Sequence, residues 1–207
     1  MINKSIYPKT VRIPIEGDQV VITEKLDGSN LVIFKLNGKL YVAARNWIFD
    51  IENPEDFNEI SYSGLQNWLK IYKSTLLDTL QEGVAICGEW LGMGTIKYSI
   101  DKFDKRYYMF ATANVDNDFN LSNLTYYEEY FALPFTNQEI PYFIGIRPEV
   151  TRTQVMPNKK FLDSLYEKYT SVEKRDVEGF IVIVANTIKK YVRLKGGKLI
   201  EHFVLTD

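Results

Sequence analysis

The sequence predicts an α+β fold of two antiparallel sheets with helices packed outside. Three observations carry this: runs of β-branched residues near both ends of the chain, an Asn-Gly hairpin signal at Asn37-Gly38, and apolar residues at helical spacing between Leu65 and Leu80. With 207 residues and 45% hydrophobic content the chain can bury a substantial core, so residues 1–207 are expected to form one domain.

In order, Gln19 to Lys25 is β-branched and reads as a strand. Leu31 to Leu36 and Lys39 to Arg45 flank Asn37-Gly38, the strongest short hairpin signal. Asn53 to Glu59 reads as loop. Leu65, Trp68, Leu69, Tyr72, Leu76 and Leu80 recur at three- and four-residue steps, predicting an amphipathic helix that ends near Gly83. Val84 to Trp90 and Arg106 to Val115 read as strands, the second closed by a turn at Asp116-Asn117-Asp118. Segments 122–132 and 158–169 read as helices, separated by a stretch marked by Pro134, Pro141, Pro148 and Pro157. Gly179 to Ala185 and Tyr191 to Lys195 return to strand. No internal repeat, low-complexity stretch or linker interrupts the pattern.

Counting residues removes several kinds of chemistry. The chain has 25 basic and 27 acidic residues, which argues against a binder driven by a global excess of cation. Cys87 and His202 are each the sole residue of their type. An intrachain disulfide is therefore impossible, and a Cys/His zinc site lacks ligands. Any histidine-based triad would have to rest on His202. No apolar stretch is long enough for a signal core or a membrane span, so a cytoplasmic protein without membrane association is expected.

The chemistry-bearing residues begin at Lys25-Leu26-Asp27-Gly28. Alone, this block more often describes a charged strand turning a corner at Asp-Gly, and a chance match arises in about one chain in twenty of this length. Its surroundings are less ordinary. Twenty residues on, Arg45 ends the hairpin. Gly88-Glu89-Trp90-Leu91-Gly92 places a carboxylate in an apolar strand, and Tyr107 to Phe110 supplies aromatic faces. Glu178 opens another apolar strand, and Arg193-Leu194-Lys195 sets two cations at i and i+2, hence on one face of a strand.

Five such blocks in this order resemble the covalent nucleotidyltransferase superfamily of ATP-dependent ligases and mRNA capping enzymes, most closely its RNA ligase branch. The resemblance runs from about Lys25 to Lys195, and Asn30, two residues past Gly28, is similar to the RNA ligase form of the first block. It implies a nucleotidyltransferase (ATP-grasp-like ligase) domain. It also implies ATP with Mg²⁺ or Mn²⁺ as cofactors, and RNA with 5′-phosphate and 3′-hydroxyl ends as partner. Lys25 would attack the ATP α-phosphate and carry AMP. Glu24, beside it, and Asn30 would lie close to the nucleotide, Arg45 and Glu89 would contact its sugar and surroundings, and Phe110 would stack on the base. Glu178 would bind the metal, and Arg193 and Lys195 would face the phosphates. Arg193 stands where the family usually has lysine; it keeps the charge but cannot donate a proton as a general acid.

The chemistry makes a matching demand. A free lysine with pKa ~10.4 is neutral in only about one molecule in 2,500 at pH 7, and a nucleophile must be neutral. Nearby cations or burial must therefore favour the neutral amine by ~4 kcal/mol. Lys195, Arg193 and a bound metal would supply that positive field and stabilise charge on departing pyrophosphate. Mg²⁺ takes few carboxylates plus phosphate oxygens, which suits one glutamate and ATP. Elsewhere, Lys97, Lys102, Lys105 and Arg106 interleave with aromatics and read equally as an RNA-backbone grip or a solvated loop. Lys189-Lys190 reads as surface charge, the Trp68 stripe and Trp90 as core, and Cys87 as inert.

Only 12 residues follow Lys195, so no OB-fold domain is expected. Two functions of different class remain open: an RNA ligase, with end-binding supplied by its own surface or by a partner protein, or a self-adenylating accessory module without strand joining. A DNA ligase is a third alternative, disfavoured by the Lys-Leu-Asp-Gly-Ser-Asn block.

Overall fold

The computed structural model describes residues 1–3, 19–126, 133–185, 187–195 and 198–202. In chain order its elements are β1 (Ile2–Asn3), β2 (Val20–Lys25), β3 (Ser29–Leu36), β4 (Lys39–Ala43), β5 (Trp47–Asp50), α1 (Pro54–Asn58), α2 (Leu65–Thr79), β6 (Val84–Trp90), β7 (Tyr107–Val115), β8 (Leu121–Tyr126), β9 (Ile144–Ile146), β10 (Glu149–Thr153), α3 (Lys159–Glu173), β11 (Gly179–Val184), β12 (Thr187–Lys195) and β13 (Lys198–His202). They form two sheets and two compact units, as α+β. No helix among the described residues is long and apolar enough to cross a membrane.

The first unit comprises Gly28–Met93 and Lys105–Ile146 together with β1. Its sheet runs β1-β5-β4-β3-β6-β7-β8, and β9 shares the outer edge of β7. The β3–β4 hairpin closes at Asn37 and Gly38, with φ of 52° and 72°, the left-handed pair that matches strand twist. Leu31, Ile33, Leu40, Val42, Ile86, Trp90, Tyr107 and Met109 form one apolar face, and α2 covers it with Leu65, Trp68, Leu69 and Leu76. Trp68 meets Trp90 edge-on at 5.6 Å between ring centroids, so both indoles are packing residues. Cys87 is buried, as expected of an inert thiol.

The second unit contains β2, Gly94–Asp104 and the chain from Arg147 onward, and its sheet runs β10-β2-β11-β12-β13. Val20 and Ile22 of β2, Phe180, Val182 and Val184 of β11, and Tyr191 of β12 make its core beneath Leu162 and Tyr166 of α3. Helix α3 is capped by Asn158, whose side chain accepts from the Phe161 amide at 2.9 Å, and it ends at Lys174 in the left-handed conformation.

Several expectations are corrected. Asn53 to Glu59 is not wholly loop: Asn53 caps α1 and Pro54 opens it, the favoured N-terminal pairing. Residues 121–126 form β8, not the start of a helix, because the far edge of β7 is completed by pairing there; residues 127–132 of that predicted helix lie outside the described residues. The proline-marked stretch holds two short strands, and β9 runs parallel to β7, so the larger sheet is not purely antiparallel. Helix α2 stops at Thr79, with Leu80 extended, before Gly83 is reached.

Candidate active site

The predicted residues divide between the two units and are taken unit by unit. In the second, period-two alternation settles the fate of Glu24 and Lys25. Val20 and Ile22 pack towards α3, so Glu24 points the same way and Lys25 points to the opposite face. There the Lys25 ammonium lies 2.5 Å from Glu178 Oε2, with both side chains largely but not fully enclosed (22% and 14% exposed). Burial pushes the Glu178 carboxyl up from its usual range; Lys25 and, more weakly, Lys190 oppose that shift, while Asp27 adds to it. The register aligns Thr23, Ile181 and Lys190 across the sheet on Lys25's face, and Lys190 is exposed there, the surface charge the sequence indicated.

Glu24 was expected at the nucleotide, but its side chain is committed elsewhere. It is fully buried, and Arg175 forks onto it with Nη1 2.7 Å from Oε1 and Nη2 2.5 Å from Oε2. The Tyr169 hydroxyl donates to Oε2 at 2.8 Å. A buried carboxylate needs such partners, and both oxygens are taken; the Glu24 backbone amide in turn donates to the Pro148 carbonyl at 2.9 Å. The Arg175 guanidinium also lies over the rings of Phe103 (4.7 Å) and Tyr98 (5.5 Å).

Asp27, which the sequence left as a turn residue, organises the next segment. Its Oδ2 accepts from the Thr95 amide (2.6 Å), the Thr95 hydroxyl (3.0 Å) and the Ile96 amide (2.8 Å). Its own amide donates to the Tyr98 hydroxyl at 2.6 Å. A Cβ on Gly94 would sit 2.1 Å from the Asp27 carbonyl oxygen, so this approach requires glycine.

Arg193 and Lys195 depart from simple alternation. The amides of both Arg193 and Leu194 donate to the Glu178 carbonyl, at 2.8 and 3.0 Å, which sets two residues of β12 against one and makes a bulge. The i, i+2 rule that placed both cations on one face holds only for an unbulged strand. Arg193 reaches Asp163 Oδ1 of α3 at 2.9 Å, donates to the Tyr191 hydroxyl at 3.2 Å and lies 5.3 Å from the centre of the Tyr166 ring. Lys195, the last residue of β12, is exposed.

In the first unit Asn30 and Glu89 are direct cross-strand partners of β3 and β6, and the Asn30 side-chain amide donates to Glu89 Oε2 at 2.9 Å. Since Leu31 and Trp90 belong to the core face, both residues occupy the face away from α2. The Tyr62 hydroxyl donates to the Asn30 carbonyl at 3.0 Å. Gly28 explains its own place in the first block: a Cβ would lie 2.5 Å from the Trp90 carbonyl oxygen and 2.9 Å from the Glu89 side chain. Phe110 is buried and stacked near Tyr126, with centroids 6.4 Å apart. Arg45 does not end β4; it is exposed in the tight turn closed by the Ala44 amide and the Trp47 carbonyl. Among the described residues no group of three His, Cys, Asp or Glu could cage a metal; Glu178, largely enclosed, lies within electrostatic reach of Asp27 as well as Lys25.

Two sheets, each with a helix across one face, make up a fold met among solved RNA ligases. A ligand-free mutant of Naegleria gruberi RNA ligase superposes with a TM-score of 0.54 at 16% identity, covering 86% of this chain and 50% of that one. A mutant of the same ligase with ATP and Mn gives 0.54 at 15% identity, with 86% and 50% covered, and one with AMP and Mn gives 0.51 at 15%, with 91% and 59% covered. This chain thus spans about half the length of the solved ligases it matches. No curated protein matches it by sequence. The sequence model of the RNA ligase family matches residues 18–196, and the chain belongs to that family.

Proposed function

We propose that residues 1–207 act as one adenylylating nucleotidyltransferase domain of an ATP-dependent RNA ligase, working in the cytoplasm. The observation that carries the reading is the Lys25 ammonium held against Glu178 within the family-matched region. As the neutral amine, Lys25 Nζ forms a bond to the α-phosphorus of ATP while the bond to the β-phosphate oxygen breaks; pyrophosphate leaves and the amine proton passes to solvent. AMP then moves to a 5′-phosphate of RNA, and a 3′-hydroxyl displaces it as the strands join. A partner protein supplying end-binding is compatible with this sequence of steps.

Glu178 fits a divalent ion. Mg²⁺ or Mn²⁺ in nucleotide sites takes one or two carboxylates together with phosphate oxygens and water, and a largely enclosed glutamate beside the nucleophile offers such a carboxylate. When bound, such an ion neutralises charge on the triphosphate. Lys195, exposed at the end of β12, is the cation assigned to the phosphates, and Asn30, Glu89, Arg45 and Phe110 are assigned to the nucleoside. The solved Naegleria ligase bound to ATP and Mn supports these cofactors. Incubation with α-labelled ATP and Mg²⁺, then denaturing electrophoresis, tests the reading: label should remain on the protein, be released by acid, and vanish in Lys25→Ala.

A further inference from the structure

The two residues that bracket Lys25 are tied to one network. On one side, Glu24 is fully buried and gripped by the Arg175 fork and the Tyr169 hydroxyl. On the other, the Asp27 amide donates to the Tyr98 hydroxyl. The two sides meet, because the Arg175 guanidinium lies over the Tyr98 ring, 5.5 Å from its centre, and over Phe103. The path Glu24, Arg175, Tyr98, Asp27 therefore closes around the nucleophile's backbone without touching its amine.

This arrangement differs from ordinary core packing in what it fixes. Strand pairing with β11 already holds β2 as far as Lys25, where Lys25 pairs with Gly179. Beyond that point the chain leaves the sheet, and Leu26 to Gly28 have no strand partner. Lys25 is thus a terminal strand residue, the position most prone to fray, and its side-chain direction depends on what holds its neighbours. An arginine that forks a fully buried carboxylate has a fixed plane, and a hydroxyl that receives a backbone amide fixes the following peptide.

We infer that Arg175 and Tyr98 are positioning residues for Lys25, holding the strand end on both sides so that its amine is aimed rather than free to swing. The inference rests on the reading of Lys25 as the nucleophile. A group misplaced by about 1 Å costs on the order of 10²-fold in rate, so loosening this clamp should act on the rate of transfer rather than on ATP binding.

The test uses Arg175→Ala, Arg175→Lys and Tyr98→Phe in the full chain, with single-turnover adenylylation followed over a range of ATP concentrations. Arg175→Ala and Tyr98→Phe should each lower the rate at saturating ATP by roughly tenfold or more and leave the ATP concentration for half-maximal rate within about threefold. Arg175→Lys, which keeps charge but not the fork, should fall between wild type and Arg175→Ala. The double variant should lose less than the product of the single losses, since both cut the same path. Tyr98→Phe keeps the ring under Arg175 and preserves the test if Arg175→Ala fails to fold. Hydrogen exchange at the amides of residues 25–27 gives a readout without ATP: it should quicken in both variants while β11 and β12 stay protected. If wild type takes no label, adenylylation itself is refuted and the exchange result alone decides the clamp. Wild-type rates, or unchanged exchange at 25–27, in folded Arg175→Ala and Tyr98→Phe would overturn the inference.

Discussion

Lys25 and Glu178 meet at 2.5 Å, Lys25 as the last residue of β2 and Glu178 as the residue that precedes β11. Burial raises the Glu178 carboxyl above its usual range, and the Lys25 ammonium beside it opposes that shift. Glu178→Gln keeps the shape and removes the charge. It should slow adenylylation by about 10²-fold or more, with Glu89→Ala comparably slow and Glu167→Ala, exposed on α3, unchanged. Single-turnover labelling of the three variants checks this, and equal activity in all would show that the carboxylates are wrongly assigned.

Arg193 and Lys195 should separate into stability and rate. Arg193 is engaged by Asp163, Tyr191 and the Tyr166 ring, so Arg193→Lys should cost about 1 kcal/mol of stability through the lost geometry while labelling persists. Lys195→Ala should leave stability within about 0.5 kcal/mol and depress labelling sharply. Urea unfolding and labelling on the same samples separate the two effects.

Asp163 gives a pH signature. Hydrogen bonds from Lys159 first, then Tyr191, with Arg193 adding to them, hold its carboxyl at about 2. A carboxyl whose pKa is lower in the folded chain than in the unfolded one adds stability above the unfolded value, near 4, and loses it as pH falls towards 2. Asp163→Asn should therefore unfold at lower urea than wild type at pH 7, and the gap should narrow between pH 4 and pH 2. A constant gap across that window would mean the carboxylate's charge is not what stabilises α3 against β12.

Asp27 is expected to act through Thr95 and Ile96. Removing an acceptor of three hydrogen bonds in Asp27→Ala should destabilise by about 2 kcal/mol, whereas Asp27→Asn retains a carbonyl acceptor and should lose less. Thermal or urea unfolding of both variants checks the order.

What the sequence showed follows the range over which each signal acts. The Asn37-Gly38 hairpin and α2 were legible because turn chemistry and helical spacing are local. β8 was misread because Leu121 to Tyr126 takes its conformation from the waiting edge of β7, with Asn123 even at positive φ. The bulge at Arg193 and Leu194 is made by the carbonyl of Glu178, just before β11, and leaves no mark in the sequence of β12 itself. Arg175 and Tyr169 lie about 150 residues from Glu24 and were missed; the one available signal was alternation, which sets Glu24 on the face of Val20 and Ile22, where a carboxylate needs a charge or hydrogen-bond partner.

The central claim is that Lys25 carries AMP. Intact-protein mass spectrometry after incubation with ATP and Mg²⁺, followed by peptide mapping, measures it directly. One AMP on Lys25, labile to acid and absent from Lys25→Ala and Lys25→Arg, is the predicted result. An unmodified wild-type protein, or an adduct of the same yield in Lys25→Ala, would contradict it.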